Sequence, residues 1–215
     1  MYIRNRKSIQ IITPQSAATQ LISTADMKSF MRVDTSADDT LIDDFVKTAT
    51  QTISDFLRRS ILTQTLNLTM DNFGGDRRFE NTVSEGWYDL PKSLMQGNLN
   101  DVYLPFAPIV SITTIKTTDQ NNIETTLSSA TYSLDPDGRI FLNTGYSWPT
   151  ALRDKNSVAV RYVAGYGYTN VPLPIKQAIR QYAAAMYDCR RMCEMSQEVM
   201  DMISAYRILD PMGLV

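Results

Sequence analysis

Asp38-Asp39-Thr40-Leu41-Ile42-Asp43-Asp44-Phe45-Val46-Lys47-Thr48-Ala49 runs on through Ile53, Phe56 and Leu57 to Arg58-Arg59, and Thr65-Leu66-Asn67-Leu68-Thr69-Met70-Asp71 soon follows. In the first stretch Leu41, Ile42, Phe45, Val46, Ala49, Ile53, Phe56 and Leu57 recur at spacings of one, three and four, which draws one wide apolar stripe on a helix. Ser36 and the acidic Asp38-Asp39 suit its start, and Arg58-Arg59 suit its end, where the helix dipole favours positive charge. In the second stretch apolar and polar residues alternate strictly, as in a strand buried on one face. A one-sided helix feeding a one-sided strand predicts an α+β chain.

Working outward, Ser23 or Thr24 can cap a short helix over residues 25–32, with Met27, Phe30 and Met31 on one side. Residues 1–22 read as a polar N-terminal arm whose apolar cluster is Ile9, Ile11 and Ile12. Beyond Phe73-Gly74-Gly75-Asp76, residues 77–100 read as a long irregular connection carrying Trp87-Tyr88. Strands are expected over 102–105, 109–118, 132–134, 139–142 and 157–164. Pro105, Pro108, Asp119-Gln120-Asn121-Asn122 and Asp135-Pro136-Asp137-Gly138 punctuate them.

Pro172 and Pro174 then close the β region. Ile175, Ala178, Ile179, Tyr182, Ala183, Met186 and Cys189 carry a helical stripe to Arg190-Arg191. A second segment over 196–209 carries Val199, Met202, Ile203 and Tyr206. Pro211 and Gly213 leave 210–215 as a mostly apolar tail. The expected architecture is a helical bundle formed by the N- and C-terminal helices, with an inserted small antiparallel β domain. Its parts are an arm (1–22), a discontinuous helical domain (23–61 and 172–209), the β insertion (62–171) and the tail (210–215).

Composition narrows the chemistry. The 215 residues contain 21 Lys plus Arg, 23 Asp plus Glu and no His, for a net charge of −2. Without His there is no Ser-His-Asp or Cys-His arrangement, and the commonest metal ligand is missing. A slightly acidic chain also lacks the electrostatic pull of a basic nucleic-acid-binding domain. No apolar run reaches the length of a membrane span, and no signal-peptide core follows the basic start, so the chain is expected to stay where it is made. Cys189 and Cys193, four apart on an expected helix, read as buried thiols sharing a face.

The remaining candidates reduce to structure. Asp34, Asp38, Asp39, Asp43 and Asp44 form the densest carboxylate cluster, but mostly occupy the first turns of an amphipathic helix, off its stripe. Asp135-Pro136-Asp137-Gly138 lacks the spacing and distal Glu of a calcium loop and reads as a hairpin turn. Gly165-Tyr166-Gly167-Tyr168 lacks a complete phosphate-loop fingerprint and reads as a tight strand exit. The basic pairs Arg58-Arg59, Arg77-Arg78 and Arg190-Arg191 are scattered, two of them at helix ends. No cofactor is expected.

Four phrases in order carry a family likeness. They are Ile12-Thr13-Pro14 leading to Met27-Lys28-Ser29-Phe30-Met31-Arg32-Val33-Asp34; Asp38-Asp39-Thr40-Leu41-Ile42 running to Leu57-Arg58-Arg59-Ser60-Ile61-Leu62-Thr63-Gln64-Thr65; Tyr146-Ser147-Trp148-Pro149 with Val163-Ala164-Gly165-Tyr166-Gly167; and Val171-Pro172-Leu173-Pro174-Ile175-Lys176-Gln177-Ala178-Ile179. The chain resembles phage head–tail connector (adaptor) proteins of the class with a β insertion between helices; residues 77–100 depart from the pattern. The resemblance implies a non-enzymatic, typically dodecameric ring below the portal protein, in the virion neck, assembled in the host cytoplasm. It implies a channel for passing double-stranded DNA without sequence-specific binding, and a tail-side stopper, tail-completion or tail protein as the other partner. By the same analogy Tyr206, Ile208, Leu209, Met212, Leu214 and Val215 are the portal-docking candidates. The rival readings are a tail-completion or tail-terminator subunit, a metal-dependent enzyme using the cluster from Asp34 to Asp44, and a β module displaying Trp87 and Tyr88 to a carbohydrate or receptor.

Overall fold

The computed structural model describes residues 7–13, 20–73, 101–135, 138–190 and 193–208. In chain order these form β1 (Lys7–Thr13), α1 (Thr24–Met31), α2 (Asp39–Leu57), β2 (Gln64–Met70), β3 (Val102–Tyr103), β4 (Ile109–Thr118) and β5 (Glu124–Thr126). There follow β6 (Tyr132–Leu134), β7 (Arg139–Leu142), β8 (Val158–Ala164), α3 (Leu173–Cys189) and α4 (Gln197–Ser204). The chain is α+β, and the named strands pair antiparallel.

The helical stripes meet as their spacing requires. Ile42, Val46, Ala49, Ile53 and Leu57 of α2 share one core with Ile175, Ala178, Ile179, Tyr182, Ala183 and Met186 of α3. Met27 of α1, Val199 and Ile203 of α4, and Leu21, Ile22, Ile61, Leu62 and Val171 join it. Each large aliphatic side chain buried this way contributes roughly 1.5–3 kcal/mol. Tyr187, near the end of α3, donates its hydroxyl to Asp38 at 2.8 Å, so α2 and α3 run antiparallel. Asp38 is the N-cap of α2 but makes no side-chain cap bond, because its carboxylate faces Tyr187 and Arg190 instead.

Helix ends follow local chemistry. Ser23 Oγ accepts from the Asp26 amide at 3.1 Å and Ser196 Oγ from that of Val199 at 3.4 Å, satisfying amides that have no helical partner. α1, α2 and α3 each stop on an arginine in the left-handed region, Arg32, Arg58 and Arg190 (φ 57, 53 and 48°). Glycine is the usual residue there, and the positive charge beside the last carbonyls offsets part of the conformational cost. This stop corrects the expectation for the cysteines. α3 ends at Cys189, which is exposed, and Cys193 lies beyond the helix with its thiol donating to the Ala185 carbonyl.

α1 is fastened to α2 by two carboxylates of the acidic cluster. Lys28 pairs with Asp39 at 2.8 Å, and the Thr24 hydroxyl donates to Asp43. That hydroxyl is the main reason the Asp43 carboxyl is held below the usual carboxylate range.

The strands form a five-stranded sheet in the order β1-β2-β8-β4-β5 and a three-stranded one in the order β3-β7-β6. β2 and β8 alternate in phase, so that Leu66 faces Tyr162, Leu68 faces Val160 and Met70 faces Val158 on the buried side. Val102, Leu104 and Ile140, the first and last of them in the small sheet, join the same second core. Phe73 stacks on Trp148 at 4.1 Å between ring centres. The β6–β7 hairpin turns through Gly138 (φ +83°), whose amide donates to Asp135.

Two strands were not expected. Residues 7–13, read as part of an arm, pair with β2 as an edge strand, with a register shift between Ile11 and Thr13. β5 is exposed along its whole length and gave no alternation to read.

Two outcomes are expected in unfolding measurements. Gly165→Ala should cost about 3 kcal/mol or more in urea titration, since φ is +130° and the added Cβ would lie 2.4 Å from the Leu62 oxygen; an unchanged midpoint would contradict this close approach. Because the folded Asp43 value is depressed, its contribution is full above the unfolded carboxylate's pKa and is lost as the pH falls through the folded value. The stability gap between the natural chain and Asp43→Asn should therefore be constant near neutrality and narrow below about pH 4.

Candidate assembly site

Two short passages join the helical core to the sheets, and the sequence brings them into contact. The outgoing passage follows Arg58. Arg59 N–H donates to the Ser54 carbonyl at 3.1 Å, while Ser54 Oγ donates to the Arg59 carbonyl. Ser60 is buried; its amide donates to Phe106 and its hydroxyl accepts from Gln64 Nε2 at 2.6 Å. The returning passage begins at Gly165, whose amide donates to Pro108 at 2.8 Å while Tyr166 donates to Ile61 at 3.3 Å. The strand exit read at Gly165-Tyr166-Gly167 is therefore a backbone-to-backbone crossing that leaves no space for a Cβ at Gly165.

The turn at 105–108 is the third member of this junction. Its carbonyls accept from three directions: Pro105 from the Tyr162 hydroxyl, Phe106 from Ser60 and Pro108 from Gly165. Burial pushes the Tyr162 phenol up, and the hydroxyl meets the need of a buried donor for an acceptor.

The C-terminal residues return to this place. After α4 the backbone makes two tight turns, with Tyr206 N–H donating to Ile203 and Arg207 N–H to Ser204. Arg59 Nε donates to the Tyr206 carbonyl, and the Ile208 amide donates to the Leu57 carbonyl at 3.0 Å. The Arg207 guanidinium lies 4.9 Å from the centre of the Phe56 ring. Tyr206 is half-buried against the helical core. Of the six residues expected to dock, Tyr206 and Ile208 are thus brought together at the end of α2. Leu209, Met212, Leu214 and Val215 lie outside the described residues.

The other sequence candidates are dispersed. Asp38, Asp39 and Asp43 are engaged with Tyr187 and Arg190, with Lys28, and with Thr24; Asp44 pairs with Lys47 at 3.7 Å, and Asp34 lines an open groove with Lys28, Arg32 and Val33. Among the described residues no three His, Cys, Asp or Glu side chains gather as a metal site, and no helix is long and apolar enough to cross a membrane. Arg77-Arg78, Trp87-Tyr88, Pro136, Asp137 and Arg191 lie outside the described residues. Sequence reading gave Arg59 a helix-end role, with a phosphate contact as the alternative. Its link to Tyr206 bridges 147 positions and ends on a backbone carbonyl, which leaves no mark in the residue pattern.

Solved structures give the same fold. A chain from the neck of an empty gene transfer agent (GTA) particle, computed with C6 symmetry, matches with a TM-score of 0.70 and 20% identity, covering 96% of this chain and 98% of that one. A chain of the virion of a native GTA particle matches at 0.70 and 19%, covering 95% and 97%. One from the neck of a native GTA particle, computed with C12 symmetry, matches at 0.67 and 19%, covering 96% and 98%. No curated protein matches the sequence. The family model for phage gp6-like head-tail connector proteins matches residues 22–138, from the lead-in to α1 to the turn before β7 and more than half of the chain, so the chain belongs to the phage gp6-like head-tail connector family.

Proposed function

We propose that this chain is a structural subunit of the neck of a phage or phage-like particle, assembling as a dodecameric ring that docks beneath the portal protein and carries the DNA channel toward the tail. The carrying observation is the near full-length agreement of fold with a chain from a GTA particle neck, in a chain of a head–tail connector family. The neighbour whose neck was computed with C12 symmetry supports the copy number. In this reading the chain performs no catalysis. Its work is geometric: it holds copies in register and presents one end to the portal and the other to a stopper, tail-completion or tail protein.

The division of labour follows the two cores. Residues 23–61 and 172–209 form the helical connector domain, 62–171 the inserted β domain, 1–22 the arm and 210–215 a tail that reaches the portal. Two separate apolar clusters, one helical and one in the sheets, support the division. Tyr206 and Ile208 root the tail, while Leu209, Met212, Leu214 and Val215 supply apolar surface to it. A net charge of −2 suits a channel wall. Tight DNA binding comes from neutralising phosphates, and a passage must let the duplex slide. Assembly takes place in the host cytoplasm and the product resides in the virion neck.

Electron microscopy of the purified chain mixed with the portal protein of the same virus tests this directly. The expected image is a ring stacked coaxially on the portal; monomers that ignore the portal would overturn the proposal. Deleting 210–215 should weaken docking and leave each subunit folded, with portal affinity and thermal unfolding measured side by side.

A further inference from the structure

We infer that Arg59 is a positioning residue for portal docking: it latches the stem at 204–208 to the end of α2, so that the C-terminal tail starts from one fixed place and direction. The inference rests on the proposal that the tail docks on the portal, and adds how the subunit aims it. Among the described residues, the last fully buried one of the helical core is Ile203. Beyond it Ser204, Ala205 and Arg207 are exposed and Tyr206 and Ile208 only half-buried, so burial alone does not set the direction of this stretch. Directed contacts add to it: Arg59 Nε to the Tyr206 carbonyl, the Ile208 amide to the Leu57 carbonyl at 3.0 Å, and Arg207 over Phe56 at 4.9 Å.

Arg59 is suited to aim a segment because its own backbone is fixed from both sides. Ser54 accepts from its amide and donates to its carbonyl, and Arg59 bridges to Phe106 in the turn that joins the sheets to the helices. A guanidinium presents rigidly placed donors, so its bond to a carbonyl restrains angle as well as distance. A short tail with an oriented root loses less conformational freedom on binding than one hanging from a loose end, and the gain recurs in every copy of a ring.

The test uses the full chain, titrated against the same virus's portal protein, with ring formation and thermal unfolding followed in parallel. Arg59→Ala should form rings yet bind portal about tenfold more weakly. Arg59→Lys, which keeps a charged donor but not the fixed angle of the guanidinium, should recover only part of the loss. Combined with deletion of 210–215, Arg59→Ala should add nothing, because both changes act through the tail. If the deletion weakens docking but Arg59→Ala does not, the latch is wrong and tail docking stands. If the deletion has no effect, both fall. An equal loss from Arg59→Ala in the tail-less chain would mean that the residue acts through the fold, which also overturns the latch. Should Arg59→Ala fail to fold, the exposed Arg207→Ala, which loosens the stem from Phe56, is read the same way.

Discussion

At Gly165 the backbone lies so close to the carbonyl of Leu62 that the two connections between helices and sheets behave as one crossing. Much of the architecture is arranged to make that approach sustainable. Gly165 supplies both the missing side chain and a φ of +130° that other residues adopt only under strain. The backbone groups thereby brought out of water find partners at Pro108, Ile61 and Phe106. A junction built on backbone hydrogen bonds is stiff, because a shift of either passage breaks bonds that water cannot replace.

The stiffness matters because the two cores share few side chains. The helical core closes around α2 and α3 and the sheet core around β2 and β8. β2 follows directly on the outgoing passage and β8 leads directly into the returning one. The central strand pair is therefore continuous with the two central helices, and its register sets how sheet and helices meet. Tyr162 adds a link from the middle of the sheet by donating to Pro105 across the buried face.

Most of this was legible where burial is one-sided. The stripe from Ile42 to Leu57, that from Ile175 to Met186 and the alternation from Leu66 to Met70 each repeat a period that only one kind of element satisfies. Strand limits at 109–118, 132–134 and 139–142 were readable because prolines, Asp-rich turns and Gly138 flank them. Legibility failed where an element has no buried face or interrupts its own period. β5 is exposed throughout, and the register shift in β1 throws Ile11 and Ile12 out of alternation. The helix end at Arg190 was read from its position, but Cys193 was wrongly placed on the same helix, since Arg190 stops it in a conformation for which glycine is the usual signal. The family likeness was readable as a succession of phrases, but the stem contacts were not. Their acceptors at Tyr206 and Leu57 are carbonyls, and carbonyls are the same in every residue.

The composition of the helical core also sets an order of events at the ribosome. α1 and α2 leave it early, but the stripe of α2 stays open until the whole β region has been made and α3 has followed it. Contacts between segments so far apart in sequence form late and slowly, and the pairing of β2 with β8, which sets Leu66 opposite Tyr162, is long-range too. A nascent chain thus carries an unfinished helical face through most of its synthesis, and α3 and α4 complete that face. Products truncated before α3 therefore lack the partner that closes the stripe of α2.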